Sequence, residues 1–175
     1  FGNWAFSFLI DMQKGGDIFS LDLYYGLATG IYEESAGTND LGNPIRDPLT
    51  GDASSGGYIL PGVTPDGNAN ATRLDGNVYS NFGYAIEPQK AFVYDAGYIK
   101  LREVALTYTF PKKFLDNSVF DDLSLSFVGN NLWIIDKDLP HADPESGLGA
   151  GNLQGYSISS LPSMREFAFN LNVRF

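Results

Sequence analysis

Four stretches of this chain alternate apolar and polar side chains with a period of two. The last is the cleanest: Phe167, Phe169, Leu171, Val173 and Phe175 are apolar, and Ala168, Asn170, Asn172 and Arg174 lie between them. A strand with this pattern shows one apolar and one polar face. Leu123, Leu125 and Phe127 against Ser124 and Ser126 repeat it, followed by Asn130, Asn131 and Trp133. Val104, Leu106, Tyr108 and Phe110 alternate with Ala105, Thr107 and Thr109, and Trp4, Phe6, Phe8, Ile10 and Met12 with Asn3, Ala5 and Ser7. The run Tyr98-Ile99-Lys100-Leu101-Arg102-Glu103 is mixed, its facing is open, and a bulge would accommodate it. The spacing predicts strands over about 2–12, 98–110, 123–135 and 164–175.

Such strands serve a soluble sandwich or a membrane barrel, and the aromatic positions separate the two. Phe110, Phe114, Phe120 and Phe175 fall at or beside one end of three strands, while Tyr98, Trp133 and Tyr156 fall at or beyond the other. Two aromatic bands flanking an aliphatic middle match the two interfaces of a membrane, and Tyr98, Phe110, Trp133 and Phe175 are the expected interface residues. The connections point the same way. About a dozen residues join the second and third strands, whereas 13–97 and 136–163 form long loops. Short periplasmic turns and long extracellular loops are the asymmetry of bacterial barrels. The expected class is therefore all-β, a transmembrane antiparallel β-barrel. Inside the larger loop, Ile18, Leu21, Tyr24, Tyr25, Ala28 and Ile31 recur at helical spacing, which predicts a helix over about 18–30, capped by Asp17 and closed near Gly30. Turn signals follow in series, from Asn43-Pro44 to Pro65-Asp66-Gly67-Asn68, with no periodic element between them.

Composition narrows the function. The net charge of −10 leaves no basic face for nucleic acid. Residues 13–97 hold 11 acidic and 4 basic side chains, so the acidity concentrates in the loop expected outside the cell. There is no Cys, and no apolar run approaches the ~18 residues of a membrane-crossing helix. The chain opens at Phe1, without a signal peptide and beside the first alternating stretch, and reads as a fragment of a longer protein.

Catalytic chemistry is thinly represented. His141 is the single histidine, so neither a His-Asp-Ser constellation nor a multi-His metal site can form around it; it reads as a loop residue beside Pro140. Glu33-Glu34, Asp121-Asp122 and Asp143 with Glu145 are close acid pairs, but adjacent loop acids read first as solvated charges. Gly147-Leu148-Gly149-Ala150-Gly151 lacks the helix of a phosphate loop, and Asp47–Asp52 and Asp66–Asn70 lack the EF-hand pattern for calcium. No enzyme activity, metal or cofactor is expected. The best ligand candidates are the loop aromatics Tyr24, Tyr25, Tyr32, Tyr58 and Tyr156, which can stack on sugars or peptide side chains, although any one of them more often packs loops together.

The motifs also carry a resemblance. Tyr98-Ile99-Lys100-Leu101-Arg102-Glu103-Val104-Ala105-Leu106-Thr107-Tyr108-Thr109-Phe110-Pro111 resembles the "YIKLREVSLSYNFP" signature of SusC/RagA-type transporters. Val128-Gly129-Asn130-Asn131-Leu132-Trp133 resembles their "VGRNLW" strand, with Asn130-Asn131 where Arg-Asn is common. Asp143-Pro144-Glu145, the Gly-rich 147–155 and Ser160-Leu161-Pro162-Ser163-Met164-Arg165 resemble the final loop, and the chain ends on Phe175 as that family does. Lys14-Gly15-Gly16-Asp17 and Pro61-Gly62-Val63 resemble pieces of the preceding loop. The resemblance implies the last four strands of a 22-stranded barrel in the outer membrane of a Gram-negative bacterium, with plug and TonB box upstream. It implies TonB-dependent import of oligosaccharides or peptides beside a SusD-like surface lipoprotein, surrounded by outer-membrane lipids. It further implies that Phe167, Phe169, Leu171, Val173 and Phe175 form the strand that assembly machinery reads. The rivals are a soluble all-β carbohydrate-binding module and a surface hydrolase.

Overall fold

The computed structural model describes residues 2–76, 89–147, 149–159 and 161–175. Four long strands form one antiparallel sheet in the order β1 (Trp4–Gln13), β6 (Tyr98–Thr109), β7 (Asp122–Lys137) and β9 (Glu166–Arg174). We call this sheet the wall. The intervening elements are β2 (Asp17–Ser20), α1 (Leu21–Thr29), β3 (Tyr58–Ile59), β4 (Arg73–Leu74), β5 (Val93–Asp95), α2 (Lys112–Leu115) and β8 (Tyr156–Ser157). Among the described residues no helix is long and apolar enough to cross a membrane, which leaves crossing by strands untouched.

Register aligns the alternating stripes. Phe6 lies opposite Leu106, Leu106 opposite Phe127, and Phe127 opposite Phe169. Each row thus presents large apolar side chains on one face, and all four of these are exposed. The opposite face carries Ser7, Ala105, Val128 and Ala168 in one row and Ala5, Thr107, Ser126 and Asn170 in the next. There the Thr107 and Ser126 hydroxyls hydrogen-bond at 2.8 Å.

The mixed start of β6 is a bulge. Leu9 pairs with Glu103 and Ile10 with Leu101, so Arg102 is the extra residue. Against β7, Leu101 pairs with Trp133 and Glu103 with Asn130. An extra residue reverses which side chains face which way. Below the bulge Val104, Leu106 and Tyr108 share the apolar face; above it Ile99 and Leu101 do, and Tyr98 and Lys100 turn to the other. Asn131 completes the distortion at φ 52°, a conformation that Asn tolerates better than most residues.

Described parts of the two long connections fold together at one end of the wall. β2 pairs with β5 antiparallel and with β8 in parallel, which zips the connection after β1 to the one after β7. Ile18, Ala96 and Leu139 form one buried cluster beneath this small sheet; Leu23, Leu27 and Phe92 form a second under α1. We call this unit the cap.

The helix departs from its expected limits. Residues 17–20 are strand, because Ile18 pairs with Tyr94, Phe19 pairs on both sides, and Ile18 is buried. The N-cap is therefore Ser20, whose hydroxyl accepts from Leu23 N at 3.1 Å, and not Asp17. The closing residue is Gly30 at φ 80°, with its N–H directed to Gly26 and Leu27 carbonyls. Gly26 is required by contact, since a Cβ there would run into the Tyr32 ring. The series of turns contains the two-residue ladder β3–β4, too short for periodicity to register.

Candidate functional site

The polar face of the wall, at the end next to the cap, holds an ionic network. Tyr98, Lys100 and Arg102 project from β6, Asp11 from β1 and Asn131 from β7. Asp143 and Glu145 come down from the cap on the segment after β7. Lys100 Nζ donates to Asp143 Oδ1 and, at 2.6 Å, to Glu145 Oε2. Arg102 donates to Asp11 Oδ2 at 2.8 Å and to Glu145 Oε1. The Tyr98 hydroxyl donates to the same Glu145 oxygen at 3.2 Å, and Ser163 Oγ to Asp143 Oδ2 at 2.8 Å. The bulge feeds this network: Arg102 also donates to Asn131 Oδ1 at 3.2 Å, and Asn131 Nδ2 to the Met164 carbonyl at 3.2 Å.

These acids do not behave as solvated loop charges. Lys100 is 3% and Asp143 6% exposed. Burial pushes the Asp143 carboxyl up, but the hydrogen bonds from Lys100, Glu145 N and Ser163, with the Lys100 charge, outweigh it and hold the group below its ordinary value. The Arg102 hydrogen bond is the main cause that holds Glu145 low, against partial burial and with help from Lys100. Both are anions at neutral pH, so the network is a set of true ion pairs. The carboxylates serve cation binding, and their alignment on two fixed cations leaves neither as a raised-pKa acid for hydrolysis.

Tyr98, expected among the interface aromatics, is instead 6% exposed and turned to the polar face, because the bulge at Arg102 reverses the alternation above it. Trp133 is exposed on the apolar face near the upper end. At the lower end the Phe110 ring packs edge-on to Tyr108 at 5.0 Å, and Phe175 lies 5.4 Å from Phe120. On β9, Phe167, Phe169 and Leu171 are exposed and Val173 is half-buried.

Four of the five ligand-candidate tyrosines gather in the cap. Ring contacts run from Tyr156 to Phe19 (5.6 Å), Phe19 to Phe92 (6.2 Å), Phe92 to Tyr24 (5.5 Å) and Tyr24 to Tyr25 (5.0 Å). Tyr25 is exposed, whereas Tyr24 is half-buried in the helix cluster. Tyr32 stacks on His141 at 4.0 Å, and His141 Nε2 lies 2.6 Å from Glu34 Oε1. His141 thus ties the two connections together. The His141 hydrogen bond also holds the Glu34 carboxyl low, while burial, then Asp22 and Glu34, push the Tyr32 hydroxyl up. Tyr58 stands apart on β3, opposite Leu74.

Sequence reasoning missed Lys100, Arg102, Asp143 and Glu145 as partners. The available signal was the charged run Lys100, Arg102 and Glu103 in a strand otherwise built of apolar and neutral residues, next to a break in its alternation. Among the described residues no group of three or more His, Asp or Glu is placed to hold a metal ion. Asp52 accepts from Ser54 N at 2.8 Å, and Asp66 from Asn68 Nδ2 at 2.6 Å, each within its own turn. Leu148 of the Gly-rich run lies outside the described residues.

No protein-family model matches the chain. In sequence it is similar to two TonB-dependent receptors of Formosa agariphila, P3 and P26. It is 32% identical to P3 over 90 residues, 48% of this chain, and 32% identical to P26 over 93 residues, 50% of this chain. The chain spans 9% of the length of each relative. In fold it is similar to part of the RagAB peptide importer in its "open-open" state, with a TM-score of 0.58, 14% identity, and coverage of 99% of this chain and 16% of that one. A second RagAB peptide transporter structure gives a TM-score of 0.52 at 14% identity, over 98% of this chain and 16% of that one.

Proposed function

We infer that this chain, a stretch of a SusC/RagA-type TonB-dependent transporter, is a section of the wall of a closed outer-membrane barrel of 22 strands in a Gram-negative bacterium. The barrel imports oligosaccharides or oligopeptides, with TonB coupling and the plug domain supplied by sequence outside this chain. The chain itself contributes wall and loops and no catalytic group. Strands 2–12, 98–110, 123–135 and 164–175 cross the membrane; 13–97 and 136–163 lie outside the cell. A SusD-like lipoprotein sits over the cap, where Tyr25 and Ile31 expose apolar surface beside α1.

One observation carries this reading. The apolar stripes of four paired strands lie in register on one face, and most of the large side chains there are exposed, among them Phe6, Phe8, Leu106, Phe127 and Phe169. A soluble binding module would cover that face with a second layer. In a membrane, lipid covers it.

The test uses single cysteines in the full-length protein in whole cells, since this stretch has none of its own. Phe8→Cys, Leu125→Cys and Phe169→Cys should react with a bilayer-dissolved maleimide and resist a charged one. Ser7→Cys and Ser126→Cys should show the reverse. Equal labelling of the two sets would reject the membrane wall. For import, a strain lacking the full-length gene should lose growth on one class of oligomer, glycan or peptide, as sole nutrient. Unimpaired growth on every oligomer tried would reject the transport reading while leaving the wall intact.

A further inference from the structure

The cap and the wall hold together by different chemistry. Inside the cap the contacts are backbone ladders, β5–β2–β8, and two apolar clusters. Further bonds join its two connections: Asp22 accepts from Ser157 Oγ and Ser159 N, both at 2.5 Å, and Phe19 N donates to the Gly155 carbonyl at 2.8 Å. All of these travel with the cap. Among the described residues, the side-chain bonds from cap to wall on the face of Tyr98 converge on the 142–145 segment, where Asp143 and Glu145 meet Tyr98, Lys100 and Arg102 and the Ala142 carbonyl accepts from Lys137 Nζ at 2.6 Å.

We propose that the cap moves as one body and that the Lys100–Asp143 and Arg102–Glu145 pairs are the latch that holds it down on the inner rim of the wall. Its two connections are zipped to each other, so neither can lift without the other. A buried ion pair suits a latch. Removing one partner strands a charge in a poorly solvated place, so the closed state is sharply defined. The pairs join charged groups, so an open state exposes charge that water accepts. Opening would bare two cations at the inner rim while leaving the cap's own clusters closed. The inference does not depend on what the full-length protein transports.

Hydrogen exchange of the full-length protein in detergent tests this. Asp143→Asn with Glu145→Gln neutralises the descending arm at constant size. Exchange should then rise about a hundredfold over 14–29 and 139–157 together, while β6 and β7 amides below the bulge keep their protection. The reversal, Lys100→Glu and Arg102→Glu with Asp143→Lys and Glu145→Lys, should restore most of the protection. A rise confined to 141–147 would show that the pairs fix only their own turn and would overturn the proposal. So would a rise that includes the lower wall, since the pairs would then be part of the wall's stability. Where a quadruple variant fails to assemble, Glu145→Gln alone provides the readout: a smaller rise shared by both connections supports the latch, and no shared rise refutes it.

Discussion

In the wall, Phe8 and Phe169 stand 61% and 74% exposed; in the cap, Ile18 and Phe92 stand at 1% and 2%. One chain thus uses the same side chains in opposite ways. The wall is held by long ladders that satisfy its backbone, and it turns its apolar side chains outward. The cap has ladders of two and three residues, and it turns its apolar side chains inward. The difference teaches what each region answers to. On the proposed reading a wall strand needs only alternation, because a membrane accepts any large apolar side chain on a lipid face. A cap needs particular residues to meet, because a small aqueous core is specified by packing.

The largest expected effect comes from removing a cap ring. Phe92 is buried and touches Phe19 and Tyr24. Phe92→Ala should cost about 3–5 kcal/mol of local cap stability. Amide exchange in α1 should accelerate by two to nearly four orders of magnitude, with the wall unchanged. Simultaneous loss of protection in β7 would show that cap and wall are one cooperative unit, and the contrast would fail.

The converse substitution acts on the wall. Leu125→Arg places a cation on the proposed lipid face and should cost about 2–4 kcal/mol near mid-membrane. Its neighbour Ser126→Arg faces the other way and loses chiefly the bond to Thr107, about 0.5–1.5 kcal/mol. Denaturant unfolding of the full-length barrel in lipid should separate the two. Equal costs would mean that the faces are wrongly assigned.

Phe175 probes the wall's edge. Its ring is exposed and touches Phe120. In the proposed barrel, placing it at the membrane interface is worth about 1.5–3 kcal/mol, too little to unfold a wall of many strands. Deletion should therefore lower the amount assembled in the outer membrane and leave the melting of assembled protein nearly normal. An unchanged level would show that the β9 stripe, Phe167 to Phe175, carries no assembly signal.

The same contrast explains what could be read from the sequence. Period-two alternation is local, so the pattern alone locates β1, the lower half of β6, β7 and β9. The upper half of β6 resists reading because Arg102 becomes an extra residue only when β1 fixes the register beside it. That single bulge also moves Tyr98 from the expected lipid side to the ionic corner. The β2–β8 ladder joins Phe19 to Tyr156, and no local pattern announces a two-residue pairing across such a separation. Asp143 and Glu145 look like solvated loop acids until the fold brings Lys100 and Arg102 to them. The five candidate tyrosines were legible as aromatic loop residues, but their convergence around α1, with Tyr58 left out, depends on that same long-range pairing.

The smallest effect concerns a single hydroxyl at the point where pattern and structure disagree. Helical periodicity runs back to Ile18 and makes Asp17 the natural cap, yet Ile18 and Phe19 are committed to the β2 ladders. The chain can turn helical only after Ser20, whose extended backbone and buried hydroxyl satisfy the Leu23 amide. No neighbouring strand can replace that bond, because the amide lies in the first helical turn. Ser20→Ala should therefore cost about 1 kcal/mol, read as a several-fold faster exchange of the first amides of α1. Asp17→Ala removes a side chain that caps nothing in α1 and should leave those amides unchanged. If instead Asp17→Ala carries the larger penalty, the helix starts where its periodicity starts, β2 is not strand in the folded protein, and the zip between the two connections is lost with it.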